Sequence, residues 1–323
     1  MSLRVRKPGL FTTVQDLGRP GLGRWGVSPC GAMDPLALTL ANLLVGNHAD
    51  AAGLEVTAQG PELVFDVEAT FALTGADLSA TLDETRIAPG QAQRARAGQT
   101  LKFGARTHGA RAYLAVAGGL GRSARVFRGS TATDIGAGLG GLEGRALRAG
   151  DVLELEPQPP FQARAVRGEW ARWYEPPDVV RFIPEQGSQL PTEARAGFEA
   201  STFRISSRSN RVGYRLEGLA LPSGPTGGFQ ISEPVAPGTI QLPPDGHPIV
   251  LMADRQTTGG YPRLGHVIRA DVPRLAQRWL GDSVTFRAVT LEEARQALHE
   301  QQTWLEEAVG DAIDEVSSQH RSR

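Results

Sequence analysis

Reactive side chains are densest directly after one short apolar run, residues 248–253 (PIVLMA), which has the composition of a buried strand. A diglycine at 259–260 follows and frees the backbone to turn. Polar groups concentrated at the end of a strand usually form a site, although a polar turn that satisfies its own backbone is the alternative. The candidate catalytic residues of this loop are Asp254, Arg255, Gln256, Thr257 and Thr258, and Tyr261 is a candidate for substrate binding.

Chemistry on a small amide or lactam needs three kinds of group, and the polar loops supply each of them. An arginine would hold a substrate carboxylate, and a donor such as Gln256 or Thr257 would polarise the carbonyl. A carboxylate such as Asp254 would move a proton or hold Mg2+. The candidate substrate-binding residues outside the first loop are Gln15, Asp16, Arg19, Asp77, Asn210, Arg211, Tyr214, Arg215 and His266.

Several of these candidates have a structural alternative. Asp16 could brace a turn with Arg19. Arg211 and Arg215 could instead pair with a glutamate, Glu217, on the surface of a strand. His266 begins the strand-like run HVIRADV, where a solvent-facing or internally satisfied histidine is the alternative to a substrate contact.

Several common chemistries are disfavoured by residue type and spacing. Lys7 and Lys102 are the only lysines, so we expect neither a GxxxxGK loop for ATP nor a Schiff base. Cys30 is the only cysteine, which excludes an intrachain disulfide and a cysteine-based zinc site. The histidines lack HxxxH and HExxH spacing, so we expect no metal site built on them. Residues 136–141 fit GxGxxG, but a strand-like run follows where a dinucleotide-binding helix would begin.

Length and charge limit the class of protein. A chain of 323 residues exceeds what one hydrophobic core usually supports, so two domains are expected. The formal net charge of −1, with scattered basic residues, argues against nucleic acid or an anionic membrane as a main partner. No apolar run approaches the roughly 20 residues needed to cross a bilayer, and the N-terminus lacks the apolar core of a signal peptide. We therefore expect a cytoplasmic protein that binds a small molecule.

Short β-rich runs between Gly, Pro, Asn and Asp clusters dominate the chain and predict a mainly β (α+β) fold. Helices are predicted at residues 35–44, with Asp34 as N-cap, at 273–279 and at 291–316. A stretch rich in proline, charge and aromatic residues within 156–177 predicts a domain boundary. The predicted division is an N-terminal β-rich domain at 1–160, a linker at 161–177, a C-terminal domain at 178–289, and a helix and tail at 290–323.

Long motifs distributed over most of the chain resemble one known family. They are PGLFTTVQDLGRPG (8–21), SPCGAMDPLALTLANLLVGN (28–47), ALTGAD (72–77), YLAVAGGL (113–120), SRSNRVGYRLEG (207–218) and ADRQTTGGYP (253–262). In this order they resemble the allophanate hydrolase subunit 2, or biotin-dependent carboxyltransferase, family. GSTATD (129–134) departs from the family pattern, where an arginine and a serine more often precede the Thr and Asp. The resemblance implies two cyclophilin-like β-barrel domains with a few peripheral helices.

The family includes the C subunit of the prokaryotic ATP-dependent 5-oxoprolinase. The resemblance therefore implies a protein that is active only with two partners, a KipI-like B subunit and a LamB/YcsF-like A subunit, in a complex that opens 5-oxo-L-proline to L-glutamate using ATP with Mg2+. One alternative is the carboxyltransferase component of a urea carboxylase or urea amidolyase, which would use biotin. Another is a non-catalytic regulatory protein that antagonises a histidine-kinase inhibitor. Neither lysine lies between methionines, so a Met-Lys-Met biotinylation site is absent, which favours the first reading.

Overall fold

Two compact units make up the chain. The computed structural model describes residues 1–121, 123–157, 164–166, 179–187, 190–223 and 231–310. Unit 1 comprises residues 1–19, 30–174 and 303–323, and unit 2 comprises residues 20–29 and 175–302. Most of the predicted linker at 161–177 and the predicted tail after residue 310 lie outside the described residues, and the predicted domain limits stay a prediction.

Unit 1 is built on two antiparallel sheets. The strands that the structure describes in it are Ser2–Lys7 (β1), Phe11–Gln15 (β2), Gly53–Thr57 (β3), Glu62–Phe65 (β4), Ala69–Asp77 (β5), Thr81–Leu82 (β6), Thr85–Arg86 (β7), Ala92–Ala95 (β8), Thr100–Lys102 (β9), His108–Val116 (β10) and Val152–Glu154 (β11). One sheet has the order β11-β1-β4-β9-β6-β7, and the other has the order β2-β3-β10-β5-β8.

The two sheets of unit 1 share one hydrophobic core. Alternate residues of each strand point inward, as Leu3 and Phe65 do from the first sheet and Phe71 and Leu114 do from the second. The rings of Phe65 and Phe71 stack with their centroids 5.2 Å apart, which joins the sheets directly. The second sheet therefore has one face in this core and one face available for other contacts.

The other face of the five-stranded sheet is covered by a helix at Pro35–Leu44 (α1), which has the predicted limits. The carboxylate of Asp34 accepts a hydrogen bond from the backbone N–H of Ala37 at 2.9 Å, so the predicted N-cap is confirmed. Leucines at a spacing of three and four bury the helix against outward-facing residues of the sheet, among them Tyr113 and Ala115.

Unit 2 contains a closed seven-stranded barrel. Its strands are Val179–Pro184 (β12), Phe203–Ile205 (β13), Gly213–Glu217 (β14), Thr239–Gln241 (β16), Ile249–Leu251 (β17), Arg263–Val267 (β19) and Ser283–Ala288 (β20), and a separate ribbon pairs Glu233–Pro234 (β15) with Thr258–Gly259 (β18). The order around the barrel is β12-β19-β16-β17-β14-β13-β20, and the parallel pair β20 and β12 closes it.

Phenylalanines fill the core of unit 2. Phe198 stacks on Phe286 with ring centroids 4.5 Å apart and meets Phe182 edge-to-face at 5.3 Å. Phe198 lies on a short helix, Thr192–Ala200 (α2), which the sequence does not predict because it buries only Ala194 and Phe198. Tertiary packing on the barrel, rather than a long amphipathic pattern, therefore stabilises this helix.

Two further helices and a 3-10 turn complete the described structure. The predicted helix at 273–279 is instead Val272–Ala276 (α3), because the backbone N–H of Arg278 bonds to the carbonyl of Leu275, three residues back, and the chain leaves the α-helical pattern there. The last helix, Leu291–Val309 (α4), begins as predicted, and its predicted end at 316 lies outside the described residues. A 3-10 turn covers Gly23–Trp25. The prediction of a mainly β fold with few helices is confirmed.

Candidate functional site

Asp16 joins two loops of unit 1. One carboxylate oxygen accepts hydrogen bonds from the Gly18 backbone N–H and the Ser130 hydroxyl, both at 2.7 Å. The other oxygen accepts from the Thr131 backbone N–H at 2.5 Å and the Thr131 hydroxyl at 3.0 Å. Asp16 therefore holds the loop after β2 against residues 130–131, and it does not brace Arg19.

Gln15 and Arg19 reach the same loop at neighbouring positions. The Gln15 amide nitrogen donates to the Thr133 carbonyl at 3.3 Å and to the hydroxyl of Thr13 at 3.1 Å. One terminal nitrogen of Arg19 donates to the carbonyl of Ala132. Gln15 is fully buried and Arg19 is 2% exposed. The structure thus brings three predicted residues, Gln15, Asp16 and Arg19, together at residues 130–133.

Polar atoms remain unpartnered at this site. The Oε1 atom of Gln15 and the Nε and Nη1 atoms of Arg19 are buried and have no hydrogen-bond partner among the described residues. The Arg19 guanidinium lies 5.9 Å from the centroid of the Phe127 ring. A cation and an acceptor that are both buried and incompletely bonded can receive a ligand that carries an anion and a donor.

Gly140 allows its loop to approach Arg19 closely. A Cβ at Gly140 would overlap the Ala132 carbonyl oxygen and would lie 2.9 Å from an Arg19 terminal nitrogen. Residues 136–141 therefore form a glycine-rich loop beside a polar site, with an isolated bridge between Asp134 and Leu139, and no dinucleotide-binding helix follows among the described residues. Rejection of the GxGxxG motif as a dinucleotide site is consistent with this geometry.

Asp77 stands apart from this cluster. Its two carboxylate oxygens accept from one Arg86 nitrogen at 2.8 and 2.7 Å, and one of them also accepts from the Ser79 backbone N–H at 2.9 Å. The side chain of Asp77 is 31% exposed. Through these contacts Asp77 braces a surface turn.

Sequence reasoning missed a buried polar network on the helix-facing side of the five-stranded sheet. The Glu55 carboxylate accepts from the Met33 backbone N–H at 2.8 Å and the Tyr113 hydroxyl at 2.7 Å, and Arg111 lies 3.7 Å from Glu55. The Tyr113 hydroxyl accepts from the Asp34 backbone N–H at 2.8 Å. Burial, followed by the nearby Glu55 carboxylate, raises the pKa of Tyr113 well above its ordinary value, so Tyr113 stays a phenol. In the sequence, this network was signalled by a charged residue, Glu55, between apolar neighbours in the strand-like run GLEVT.

In unit 2, the predicted residues Arg211 and Asp254 form a bidentate ion pair. The Nε and Nη2 atoms of Arg211 each lie 2.8 Å from one oxygen of Asp254. The Asp254 backbone N–H also donates to the Arg211 carbonyl at 2.9 Å. Side-chain exposures of 7% and 15% place the pair largely out of water. This contact fixes the polar loop after β17 and uses the Arg211 fork within the protein.

The rest of that loop is divided between buried and exposed side chains. Arg255 is 7% exposed, and its Nε atom donates to the Val235 carbonyl at 3.2 Å. The carbonyl of Thr257, a half-buried residue, accepts from the Val235 backbone N–H at 3.1 Å. Gln256 and Thr258 are exposed. Arg255 therefore anchors the loop to residue 235 beside the ribbon strand β15, whereas Gln256 and Thr258 are the side chains of the loop that face solvent.

A glutamine that the sequence analysis did not select packs beneath this loop. Gln241 of β16 is 2% exposed, and its Nε2 atom has no hydrogen-bond partner among the described residues. A Cβ on Gly259 would overlap that nitrogen. The first residue of the diglycine therefore allows close approach of the loop to a buried amide.

His266 uses both ring nitrogens in contacts within unit 2. Nδ1 lies 3.1 Å from the hydroxyl of Thr239, and Nε2 lies 3.0 Å from a carboxylate oxygen of Glu185. Because an ionised carboxylate only accepts, the neutral ring carries its proton on Nε2 and accepts from Thr239 at Nδ1. Arg263 lies 3.9 Å from Glu185 and 2.5 Å from Glu233. His266 is thus part of a polar chain, and Glu185 and Thr239 are members that the sequence did not reveal.

The remaining predicted residues have varied surroundings. The Asn210 side chain accepts from the Val212 backbone N–H at 2.8 Å and shapes a turn. Tyr214 is 2% exposed, and its hydroxyl donates towards the carbonyls of Ala276 and Arg278 at 3.3 and 3.2 Å, as a core residue does. Arg215 is exposed on β14, and Tyr261 is half-buried. Glu217, the alternative partner of Arg211 and Arg215, accepts instead from Ser206.

The described residues contain neither a group of potential metal ligands nor a helix that could span a membrane. Within the described part of the chain, no three His, Cys, Asp or Glu side chains group in a way that could hold a metal ion. In the same residues, no helix combines the length and apolarity that a membrane span requires.

Comparison with known proteins identifies the family. The model of the carboxyltransferase domain, subdomain A and B, matches residues 25–288. The chain belongs to this carboxyltransferase family. It is 41% identical to the C subunit of 5-oxoprolinase from Escherichia coli, over 94% of this chain and 97% of that protein. It is also 35% identical to a putative urea carboxylase of Emericella nidulans, where the match spans 95% of this chain and 26% of the fungal protein.

A solved structure of a longer enzyme shows the same fold over most of this chain. The urea amidolyase of Kluyveromyces lactis superimposes with a TM-score of 0.86 at 28% identity, over 94% of this chain and 20% of the yeast enzyme. The carboxyltransferase family therefore includes longer enzymes of which this chain matches one part. The family predicted from the sequence motifs is confirmed.

Proposed function

We propose that this carboxyltransferase-family chain is one component of an ATP-dependent 5-oxoprolinase. The proposal rests on how much of each relative's length the match includes. The similarity to the Escherichia coli C subunit extends over 97% of that protein. The urea-related proteins of Emericella nidulans and Saccharomyces cerevisiae are matched over only 26% and 18% of their lengths. A relative matched from end to end is a better guide to function than a segment of a longer enzyme.

The proposed reaction opens the lactam ring of 5-oxo-L-proline. ATP transfers its terminal phosphoryl group to the lactam oxygen and leaves as ADP, and water then adds to the activated carbon. The ring C–N bond breaks to give an acyl phosphate, and a second water hydrolyses this acyl phosphate to the carboxylate and phosphate. The nitrogen takes a proton and becomes the amino group of L-glutamate, while ADP and phosphate are released. A stable lactam needs this activation because its carbonyl is a poor electrophile.

We assign ATP, with Mg2+, to the assembled complex. Neither lysine of this chain ends a GxxxxGK loop, and the described residues lack an acidic cluster that could hold Mg2+. The partners would be a KipI-like B subunit and a LamB/YcsF-like A subunit, in the cytoplasm. In this arrangement the chain contributes side chains that bind and orient the lactam, and it is inactive alone.

A second candidate function is a carboxyltransferase step that moves a carboxyl group from carboxybiotin to urea. The structural similarity to the Kluyveromyces lactis enzyme favours it. The biotinylated lysine would have to lie outside this sequence, in which neither lysine stands between methionines. Urea lacks the carboxylate of 5-oxoproline, and the two readings are therefore separable by substrate.

The test is reconstitution of the complex. The chain is co-expressed with the KipI-like and LamB/YcsF-like proteins encoded in the same genome, and the assembly is isolated by size exclusion. We expect ATP hydrolysis and glutamate formation in response to 5-oxoproline but not to urea or 2-pyrrolidinone. Strong activity of the isolated chain would refute the need for partners. Biotin-dependent stimulation by urea would favour the second function.

A further inference from the structure

Arg19 of unit 1 is a buried cation for which the described residues provide no ion-pair partner. Its side chain is 2% exposed, one terminal nitrogen donates to the carbonyl of Ala132, and Nε and Nη1 have no partner among the described residues. A buried guanidinium is costly unless it is paired and hydrogen-bonded. Such an arrangement is expected where a ligand supplies the missing anion.

Asp16, the predicted carboxylate of the same loop, is already occupied. Asp16 receives four hydrogen bonds from Gly18, Ser130 and Thr131, and these account for both of its oxygens. Its role is to hold the 130–131 loop in position beside Arg19. The described residues therefore position the Arg19 guanidinium without neutralising its charge.

A second unpartnered group lies on the same loop and specifies more than an anion. Gln15 donates through Nε2 to the carbonyl of Thr133, next to the carbonyl that Arg19 contacts, while its Oε1 is a buried acceptor without a partner among the described residues. A ligand that satisfies both side chains must present an anionic oxygen to Arg19 and an N–H or O–H to Gln15.

A glycine-rich loop and an aromatic ring pack against the Arg19 guanidinium. Gly140 packs where a Cβ would meet an Arg19 nitrogen at 2.9 Å. The ring of Phe127 lies over the guanidinium at 5.9 Å and belongs to a short hairpin with an exposed tip, in which Phe127 and Ser130 exchange backbone hydrogen bonds. Because Asp16 holds Ser130, a change in the Phe127 side-chain rotamer, without movement of the whole hairpin, would open the guanidinium to a small molecule.

We propose that Arg19 and Gln15 form the subsite for a small carboxylate that also carries an amide N–H. This inference rests on the proposed function, under which the ligand is 5-oxo-L-proline. Nη1 of Arg19, one of its two unpartnered nitrogens among the described residues, donates to the α-carboxylate, and Oε1 of Gln15 accepts the lactam N–H. Arg211, another candidate arginine, already binds Asp254 bidentately, so Arg19 is the better anchor of these two.

Three probes separate these two contacts by calorimetric titration of the chain and of its complex, without ATP. 5-Oxo-L-proline has both groups, 2-pyrrolidinone lacks the carboxylate, and 5-oxotetrahydrofuran-2-carboxylate replaces the N–H by a ring oxygen. We expect the wild-type protein to bind 5-oxo-L-proline roughly tenfold or more tightly than 2-pyrrolidinone. We expect a smaller preference over the lactone, because only one neutral hydrogen bond is lost.

Matched variants assign each preference to its residue. Arg19→Met should abolish the preference for 5-oxo-L-proline over 2-pyrrolidinone, and Gln15→Met should abolish only the preference over the lactone. Arg19→Lys, which retains charge without a fork, should bind with intermediate affinity and guards against a folding defect. Arg94→Met is the control, since Arg94 pairs with Glu68 and its side chain is 75% exposed. Its titrations should match the wild type.

The outcomes also separate this subsite from the proposed function. Retention of the full carboxylate preference by a folded Arg19→Met variant would overturn the subsite, as would absence of binding to both the wild-type chain and its complex. A complex that opens 5-oxo-L-proline with an unchanged KM in Arg19→Met would leave the function standing without the subsite. A complex that does not turn over, yet binds the carboxylate through Arg19, would leave the subsite standing without the function.

Discussion

Arg211 and Asp254 form a bidentate ion pair across 43 residues of sequence, with both N–O distances at 2.8 Å. The backbone of Asp254 also donates to the Arg211 carbonyl, so the loop after β17 is attached at two points. An aspartate held in this way is poorly placed to serve as a general base, because its oxygens already accept from a cation. The pair instead provides a rigid base for the solvent-facing Gln256 and Thr258.

The ion pair predicts a stability defect in Asp254→Asn. Removing one partner of a largely buried pair leaves the other charge uncompensated, and we expect a loss of about 3 kcal/mol. Urea denaturation of Asp254→Asn, Arg211→Met and the double variant measures the coupling between the two residues. The double variant should lose less than the sum of the single losses. Additive losses would contradict the coupling between the two residues. An Asp254→Asn variant that is inactive but fully stable would instead support a chemical role for Asp254.

Asp77 is expected to be dispensable for substrate turnover. It contacts Arg86 and the backbone of Ser79 in a partly exposed turn, and such surface pairs contribute about 0–1 kcal/mol. Asp77→Asn should therefore lower the unfolding midpoint slightly and leave turnover by the complex unchanged. A tenfold fall in turnover without a change in the midpoint would place Asp77 in the site after all.

His266 offers a test that distinguishes its two ring nitrogens. Asparagine imitates Nδ1 and would preserve the contact with Thr239, which is fully buried, whereas glutamine imitates Nε2 and would preserve the contact with the partly exposed Glu185. A buried hydrogen bond contributes about 1 kcal/mol, whereas a contact with a carboxylate that water reaches contributes less. We therefore expect His266→Asn to be more stable to urea than His266→Gln. The reverse order would mean that Glu185 is the more important partner.

Acid should weaken unit 1 through Asp66. Hydrogen bonds from Ser2 and then Arg4, against some desolvation, lower the pKa of Asp66 from its ordinary value of 3.8. A lowered pKa contributes stability that is present above pH 3.8 and disappears as the pH falls through the folded-state value. The wild type should therefore melt above Asp66→Asn at neutral pH, and the difference should shrink below about pH 4. A difference that stays constant from neutral pH to about pH 3 would contradict this linkage.

The sequence by itself determined the features that depend on neighbouring residues. Helix α1 and its Asp34 cap follow from a leucine spacing and from a carboxylate three residues before a free N–H. The mainly β class follows from short apolar runs between turn residues, and the family follows from long motifs in a fixed order. In each case the signal lies in residues that are close together in the sequence, so it can be recognised without the structure.

Only the tertiary structure decided which polar side chains meet. Asp16 reaches Ser130 across 114 residues, and Arg211 reaches Asp254 rather than Glu217. Residue type alone made Asp16, Arg19, Arg211 and Asp254 all candidate site residues. Partner choice depends on strand register and loop geometry far along the chain, and these contacts leave Arg19 buried with unpaired donors among the described residues. Long-range pairing therefore separates the charges that the fold pairs from Arg19, the arginine for which we propose a ligand.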